Sequence, residues 1–476
     1  MRHEVIIGPP GTGKTSELAN KVRAHHNENP DHNILFISHT NAAAEEARSR
    51  WVDGPGFNQR VITSTMHSFC HRQMGKGYVV DNYNLQPFME DFGLDLEDGG
   101  TGAQYVQIMS RARSKMVPIS QEVEKLRTFG GTWPHFQSFC RSYDMWKKEH
   151  GYIDFSDMLD RYLNCKRGTN LRLLAVDEAQ DLTPLHWKVI RHVMTLNPDC
   201  RVLVAGDEDQ SIYAYMGADP LGIHAFHDEF KTAYQVLEQS YRVPRVVHAV
   251  ASRVIDRIKN RVRVVYKPRE AEGRCSNFAD AGYITKQLKA GKDNLILYSD
   301  RFIRDEIERD LISDLVPYTV VSGLPGPLDI KAGRVLKLAI SPPPGNAEDW
   351  AERRAFIKSA LSKHGAAIWD SVGHLAVMAR LVKRDLTMLR VRPAHQDYLY
   401  NVDLSQPVET RLSTIHGAKG REGEIVHLSL GQSSAASLQS LDSPDNQHRL
   451  FYVGVTRARE ELVTYEGTDN GYDIHS

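Results

Sequence analysis

With 476 residues the chain is too long for one ordinary hydrophobic core and divides into two to four domains. Hydrophobic residues at 41% and charged residues at 25% are the proportions of a soluble globular protein, and a net charge of −1 excludes polyanion recognition by bulk charge. No apolar run reaches the length of a bilayer crossing, the first strand begins within a few residues of the N-terminus, and Cys70, Cys140, Cys165, Cys200 and Cys275 form no Cys-x-x-Cys pair, so a cytosolic protein with reduced thiols and no structural zinc is expected.

The first element is the apolar run Val5-Ile6-Ile7, a strand that leads into Gly8-Pro9-Pro10-Gly11-Thr12-Gly13-Lys14-Thr15 and then into helical pattern. Glycines let a backbone wrap a polyphosphate so that successive N–H groups and the helix start face it. Lys14 then reaches the β and γ oxygens, and the Thr15 hydroxyl faces Mg²⁺. A match to this pattern arises by chance in roughly one chain in a hundred of this length. Further strands are predicted at 34–38, 61–63, 173–176 and 202–205, each followed by a polar loop and a helix, as in a parallel α/β sheet. A break at 85–151 holds Glu90, Asp91, Asp95, Glu97, Asp98, a Gly99-Gly100 turn and helical stretches with Trp133 and Trp146, and reads as an inserted helical subdomain.

A P-loop enzyme needs a carboxylate at the end of a neighbouring strand, and Leu173-Leu174-Ala175-Val176-Asp177-Glu178 supplies two. Asp177 is placed to hold Mg²⁺ through water and Glu178 to orient or deprotonate the attacking water. A second set of strands is predicted at 262–266, 294–298, 319–321, 425–429 and 462–465, interrupted by 324–411, which opens with Gly326-Pro327 and Ser341-Pro342-Pro343-Pro344-Gly345. Between Tyr241 and Glu270 nine Lys/Arg face two acids, a run that reads equally as a solvated face or as a polyanion site.

The predicted fold class is therefore α/β, with two RecA-like P-loop NTPase domains in tandem, each with a mainly helical insertion. The expected boundaries are 1–84 with 152–235 for the first, 85–151 for its insertion, 236–323 with 412–476 for the second, and 324–411 for a shortened accessory insertion.

Val176-Asp177-Glu178-Ala179-Gln180-Asp181 with Gly206-Asp207-Glu208-Asp209-Gln210-Ser211-Ile212-Tyr213 resembles the UvrD/Rep family of superfamily 1 helicases. Thr40-Asn41-Ala42-Ala43-Ala44, Thr65-Met66-His67-Ser68-Phe69, Asp154-Phe155-Ser156-Asp157, Gln239-Ser240-Tyr241-Arg242, Thr414-Ile415-His416-Gly417-Ala418-Lys419-Gly420 and Phe451-Tyr452-Val453-Gly454-Val455-Thr456-Arg457-Ala458-Arg459 agree with it in order and spacing. The resemblance implies ATP and Mg²⁺ as cofactors, with the nucleotide in a cleft between the two cores. It implies that Gln210 senses the γ-phosphate and that Arg242 and Arg457 reach that phosphate from the second core. Glu422 resembles the family's ribose-contacting glutamate, with a solvent-facing turn acid as the rival reading. Single-stranded DNA and its junctions with duplex are the implied partners, contacted at His39, Thr40, Asn41, Thr65, His67, Tyr215, Thr414 and His416.

Some positions depart from the family pattern. Seven residues precede Gly8, leaving no segment for the usual adenine-reading glutamine, so looser base discrimination is expected. Met216 stands where an arginine is usual, His39 where a phenylalanine is usual, and Asn446 and Gln447 where glutamates are common. The shortened second insertion makes translocation better supported than processive unwinding. The function expected is an ATP-dependent DNA helicase or translocase moving 3′ to 5′ on single-stranded DNA. A motor that strips proteins from DNA and a DNA-binding scaffold with a vestigial ATPase are the alternatives. A monomer in bacterial or phage-infected cytoplasm, loaded by a replication or recombination protein, completes the expectation.

Overall fold

A computed structural model of the chain describes residues 2–38, 60–75, 77–96, 100–126, 128–342, 344, 346–405, 407–433, 443–467 and 471–474. The chain separates into two compact units, one comprising 1–241 with 260–267 and the other 242–259 with 268–476.

In the first unit the strands are β1 (Glu4–Ile7), β2 (Asn33–Ile37), β3 (Val61–Ser64), β4 (Tyr78–Val79), β5 (Tyr152–Ile153), β6 (Leu171–Val176), β7 (Arg201–Gly206) and β8 (Ala233–Val236). Six of them form a parallel sheet in the order β3-β2-β6-β7-β1-β8. Its central strands read as unbroken apolar runs because both faces are covered. Ile6, Ile34, Phe36, Leu173 and Leu203 face Leu18 and Val22 of the helix Lys14–Glu28. Their neighbours Val5, Leu35, Leu174 and Val204 face Leu185, Val189 and Val193 of the helix Pro184–Leu196. Ile7 lies opposite both Gly206 and Val236, and Ile37 opposite both Val176 and Ser64, so the strands end on one level. The loops leaving that edge carry Gly8, Thr65, Asp177 and Asp207, the position at which open α/β sheets bind ligands.

Between β4 and β5 lie the helices Asn82–Asp91, Thr101–Lys115, Ile119–Glu124 and Trp133–His150. They pack Phe88, Met89, Tyr105, Phe136, Phe139 and Tyr143 into a core of their own. Arg113 and Lys147 from these helices bind Asp154 and Asp157 at the start of the helix Phe155–Leu163, tying the bundle to the sheet-covering layer.

The strands β9 (Gln239–Pro244) and β10 (Lys267–Arg269) carry the chain between the units. The second unit holds β11 (Arg274–Phe278), β12 (Asn294–Tyr298), β13 (Tyr318–Val320), β14 (Thr410–Thr414), β15 (Gly423–Ser429) and β16 (Ala458–Tyr465). These form a second parallel sheet in the order β11-β16-β15-β12-β14-β13. The helices of 331–401 add Val335, Leu336, Ile357, Leu381 and Leu399 to the same core as Ile296, Tyr298 and Leu412.

Residues 262–266, predicted as a strand, are not one. The apolar alternation is real, but the segment pairs with no strand; it lies in the first unit, with Val264 packed on the sheet core and the Val262 N–H held by Glu208. Conversely, among the strands of the two six-stranded sheets, β8, β11 and β14 were not predicted: β8 and β11 are half-exposed edge strands, polar enough (Ala233–Val236, Arg274–Phe278) to hide the pattern, and β14, though interior, has Leu412 as its one aliphatic residue. All five cysteines are free thiols, and burial pushes Cys70 and Cys200 up to about 12. Among the described residues no helix is long and apolar enough to cross a membrane.

Candidate nucleotide and strand-binding sites

The loop after β1 is shaped by its own backbone. The Gly8 N–H donates to Gly206 O, the Thr12 N–H and hydroxyl both donate to Pro9 O, and Gly11 and Gly13 adopt positive φ of 72° and 83°. Gly13 caps the helix Lys14–Glu28 in the left-handed conformation with no side-chain acceptor, so the helix start presents N–H groups that no side chain of the loop satisfies. The segment after β8 braces the loop from the other side: Ser240 Oγ donates to Pro10 O at 2.7 Å and the Tyr241 N–H to Gly11 O at 2.8 Å.

Beside the loop two buried acidic groups, Asp177 and Asp207, converge with the half-buried Glu178. Thr15 Oγ1 donates to Asp177 Oδ2 at 2.7 Å, and Asp177 Oδ1 accepts the Glu178 N–H at 3.0 Å. Burial, then the neighbouring Glu178, pushes the Asp177 carboxyl up to about 6, even though Lys14 and the Thr15 hydroxyl pull the other way. Burial likewise raises Asp207, against the pull of Lys14 and of Gln210, whose Nε2 donates to Asp207 Oδ2 at 2.6 Å. A buried carboxylate held this way, beside a hydroxyl and next to a loop that lines up N–H donors, fits a hard cation shared with phosphate oxygens. Mg²⁺ is commonly bound by one or two carboxylates plus substrate phosphates. Among the described residues no cluster of three His, Cys, Asp or Glu could hold a metal by itself. Glu178 sits at φ 54°, ψ 42°, a left-handed conformation that costs a non-glycine residue on the order of 1 kcal/mol and is often found at functional sites.

Of the predicted strand-contacting residues, His39, Thr40 and Asn41 lie outside the described residues. Thr65 caps the helix Met66–Met74, accepting the Ser68 N–H, and its hydroxyl donates to Ser68 Oγ. His67 lies edge-on to Phe155 and to His186, with ring centroids 5.3 and 5.1 Å away. Tyr215 occupies the short turn Ala214–Met216 and is 43% exposed, leaving ring surface accessible. Thr65, His67, Tyr215, Lys14, Asp177 and Gln210 all follow the same edge of the first sheet.

In the second unit the predicted residues fall on two opposite edges. Thr414 closes β14 and His416 follows it, and Thr414 Oγ1 accepts the Gly417 N–H at 2.9 Å. Glu422 and Arg457 instead immediately precede β15 and β16, and the Gly423 N–H donates to Arg457 O at 3.1 Å. Arg242 Nε donates to Glu422 Oε2 at 2.6 Å, and Arg459 approaches the other oxygen at 3.4 Å. Burial pushes the Glu422 carboxyl up, but Arg242, Arg459 and Arg457 together hold it below the usual glutamate range. Arg457 is 1% exposed, its guanidinium donating to Val453 O and Thr456 Oγ1. Within the basic run 242–269, four of the nine cations are held by partners: Arg242 meets Glu422, Arg257 meets Asp473 O, Arg261 meets Asp209 and Arg269 meets Arg459 O.

Asp207 and Gln180 join the site without being among the residues predicted for it. Asp207 stands at the end of β7 as Asp177 stands at the end of β6, the neighbouring strand, and that equivalence was the available signal.

A parallel sheet with a glycine loop, a following helix and strand-end carboxylates defines a P-loop nucleotide-binding protein, here followed in the chain by a second parallel sheet. Residues 2–231 match the UvrD/REP helicase N-terminal domain and residues 410–465 the UvrD-like helicase C-terminal domain. The chain belongs to the UvrD/REP helicase family. The putative ATP-dependent DNA helicase YjcD of Bacillus subtilis is 23% identical over 377 residues, covering 67% of this chain and 47% of its own length. DNA helicase II of Escherichia coli is 25% identical over 371 residues, covering 67% and 49%. A probable DNA helicase II homolog of Mycoplasma capricolum is 23% identical over an alignment of 611 residues, covering 99% and 83%. The chain thus spans about half the length of the first two and most of the third. Among solved structures, an arterivirus helicase described in complex with DNA covers 98% of this chain and 61% of its own at 11% identity, with a TM-score of 0.35, too slight a likeness to carry a conclusion.

Proposed function

We propose that the chain is an ATP-dependent DNA helicase or translocase that moves 3′ to 5′ on single-stranded DNA. The observation that carries this reading is the assembly at the edge of the first sheet: the loop at Gly8–Thr15, Asp177 bound to Thr15, Glu178 beside it, and Gln210 held on Asp207. In this reading the loop and Lys14 hold the triphosphate of ATP, and Thr15 and Asp177 hold Mg²⁺, which neutralises phosphate charge. Glu178 orients the attacking water. Its oxygen bonds to the γ-phosphorus as the bond to the β,γ-bridging oxygen breaks; ADP leaves with that oxygen, and the water proton passes to Glu178. Gln210 is proposed as the γ-phosphate sensor, Arg242 and Arg457 as phosphate-directed cations, and Glu422 as a nucleotide contact that also holds Arg242.

The strand is proposed to be gripped at Thr65, His67, Tyr215, Thr414 and His416. Hydroxyl and imidazole groups hold phosphates, and an exposed ring stacks on any base for about 1–3 kcal/mol, so neither contact reads sequence. A second reading, a motor that clears proteins from DNA without processive unwinding, is favoured by the helices of 331–401 sharing the core of the second sheet, which leaves them less freedom to act as a separate body.

The deciding experiment measures ATP hydrolysis with and without oligodeoxythymidine for the wild type and Lys14→Ala, and strand separation on 3′- and 5′-tailed duplexes. Stimulation by the strand that Lys14→Ala abolishes supports the motor. Hydrolysis indifferent to DNA overturns it, and clearance of bound protein without duplex separation selects the second reading.

A further inference from the structure

We propose that Gln180 is a positioning residue for hydrolysis, its amide bridging the Glu178 carboxylate to the loop that carries Gln210. This rests on the reading above that Glu178 orients the attacking water. Gln180 is 0% exposed, and both ends of its amide are used: Nε2 donates to Glu178 Oε2 at 2.5 Å and Oε1 accepts the Asp207 N–H at 2.9 Å. Its backbone is fixed as well, because Ser211 Oγ donates to Gln180 O at 2.9 Å.

The chemistry of the two partners sets the amide's orientation. A backbone N–H can only donate, so Oε1 must face Asp207, and the NH₂ group is thereby turned to the carboxylate. That end can serve Glu178 only as an acceptor, the form a base or water-orienting group needs. Asp207 in turn accepts from Gln210 Nε2 at 2.6 Å, so one unbroken path of hydrogen bonds runs from Glu178 through Gln180 and Asp207 to Gln210. A shift of the Gln210 loop would move the Asp207 N–H and, through the amide, Glu178. Space for the bridge depends on Gly206: a Cβ there would meet Gln180 Oε1 at 2.8 Å and Ile223 Cδ1 at 2.4 Å. Glu178 itself is in a left-handed backbone conformation, so its side chain is not aimed by ordinary local preference, and the amide supplies a fixed partner instead.

The test uses the full chain with oligodeoxythymidine and compares Gln180→Asn, one methylene too short to span both partners, with Gln180→Glu, which faces one carboxylate with another. Nucleotide affinity is read with a fluorescent ATP analogue and folding by thermal denaturation. For Gln180→Asn, kcat is expected to fall about ten- to hundredfold while nucleotide affinity stays within about threefold. For Gln180→Glu, kcat falls at least as far and the acid limb of the kcat–pH profile moves to higher pH, because two facing carboxylates share a proton. In a Glu178→Gln background, Gln180→Asn adds no further loss. Wild-type kcat in Gln180→Asn, or equal losses of kcat, affinity and melting temperature in both variants, overturns the proposal. The underlying reading fails separately: if Glu178→Gln hydrolyses ATP at the wild-type rate, Glu178 has no such role, whereas an inactive Glu178→Gln beside a wild-type Gln180→Asn removes only the bridge.

Discussion

Thr15 Oγ1 donates to Asp177 Oδ2 at 2.7 Å, joining the first turn of the loop's helix to the end of a strand 162 residues later. The bond holds a carboxylate where burial disfavours its charge. Burial, then Glu178, pushes the Asp177 carboxyl up to about 6 from the ordinary 3.8, so the folded state binds this proton more tightly than the unfolded state does. The sign follows: stability rises as pH falls through 6 towards 3.8, and the ionised group is a liability at neutral pH when no cation is bound. Asp177→Asn keeps an acceptor for Thr15 and removes that liability. We expect the nucleotide-free variant to melt a few degrees above wild type at pH 7.5, with the gap narrowing by pH 5, and to lose Mg²⁺-dependent hydrolysis. Thermal denaturation at the two pH values checks this, and a gap that does not change with pH discards it.

Two glycines of the same loop are held for different reasons and should fail differently. A Cβ at Gly8 would meet Lys14 Cγ at 2.1 Å and Thr12 Oγ1 at 2.8 Å, whereas a Cβ at Gly13 meets nothing within 4 Å but must tolerate φ 83°. Gly8→Ala therefore displaces the lysine and should weaken binding of a fluorescent ATP analogue at least about tenfold. Gly13→Ala should cost the nucleotide-free protein about 1 kcal/mol through backbone strain. Wild-type affinity in Gly8→Ala would refute the steric account.

Much of this site could be read before any coordinates, because a strand, a glycine loop and a helix are contiguous in the chain and the carboxylates close apolar runs such as Leu173-Leu174-Ala175-Val176. Buried parallel strands announce themselves by hydrophobicity on both faces. What stayed hidden depends on contacts distant in sequence. Nothing near Gln180 in the chain announces that its amide meets the Asp207 N–H, and although Gln239-Ser240-Tyr241-Arg242 singles out Arg242, nothing in the run 242–269 announces that Arg242 is bound to Glu422 or Arg261 to Asp209. The segment 262–266 misled for the complementary reason: alternation signals a side that is buried, not a partner strand to bond with.

Arg261 Nη2 lies 2.8 Å from Asp209 Oδ2, with both side chains only 7% exposed. At that burial the pair's desolvation cost is large, and its worth shows mainly when one partner is removed. Arg261→Met removes this guanidinium from beside the buried Asp209 carboxylate and should destabilise the first unit by about 3–5 kcal/mol. Combining it with Asp209→Leu should recover most of the loss, since an apolar pair of similar volume needs no desolvation. Thermal denaturation of the two single variants and the double variant reads the cycle, and additive losses would mean that the ion pair contributes nothing as a pair.

The second sheet contains an acid-sensitive group. His427 is buried on β15, with Nε2 3.1 Å from Asn294 Oδ1 and Nδ1 2.9 Å from Tyr465 Oη. Asn294 Oδ1 can only accept, so Nε2 carries the proton and Nδ1 accepts from the tyrosine, a neutral ring fully satisfied. Burial, then Lys289, pushes the imidazole down to about 3 from the ordinary 6.5. Between those values the unfolded chain takes up a proton that the folded chain refuses. The stability contributed by the neutral ring is therefore complete above pH 6.5 and is lost as pH falls towards 3, at about 1.4 kcal/mol per pH unit. From pH 7 to pH 5 this amounts to about 2 kcal/mol. His427→Gln retains a donor and an acceptor but does not titrate, so it should be less stable than wild type at pH 7 and lose about 2 kcal/mol less on acidification. Hydrogen exchange of peptides covering β15 and β16 isolates the second unit, and parallel pH slopes for the two proteins would show that the ring is not the sensitive group.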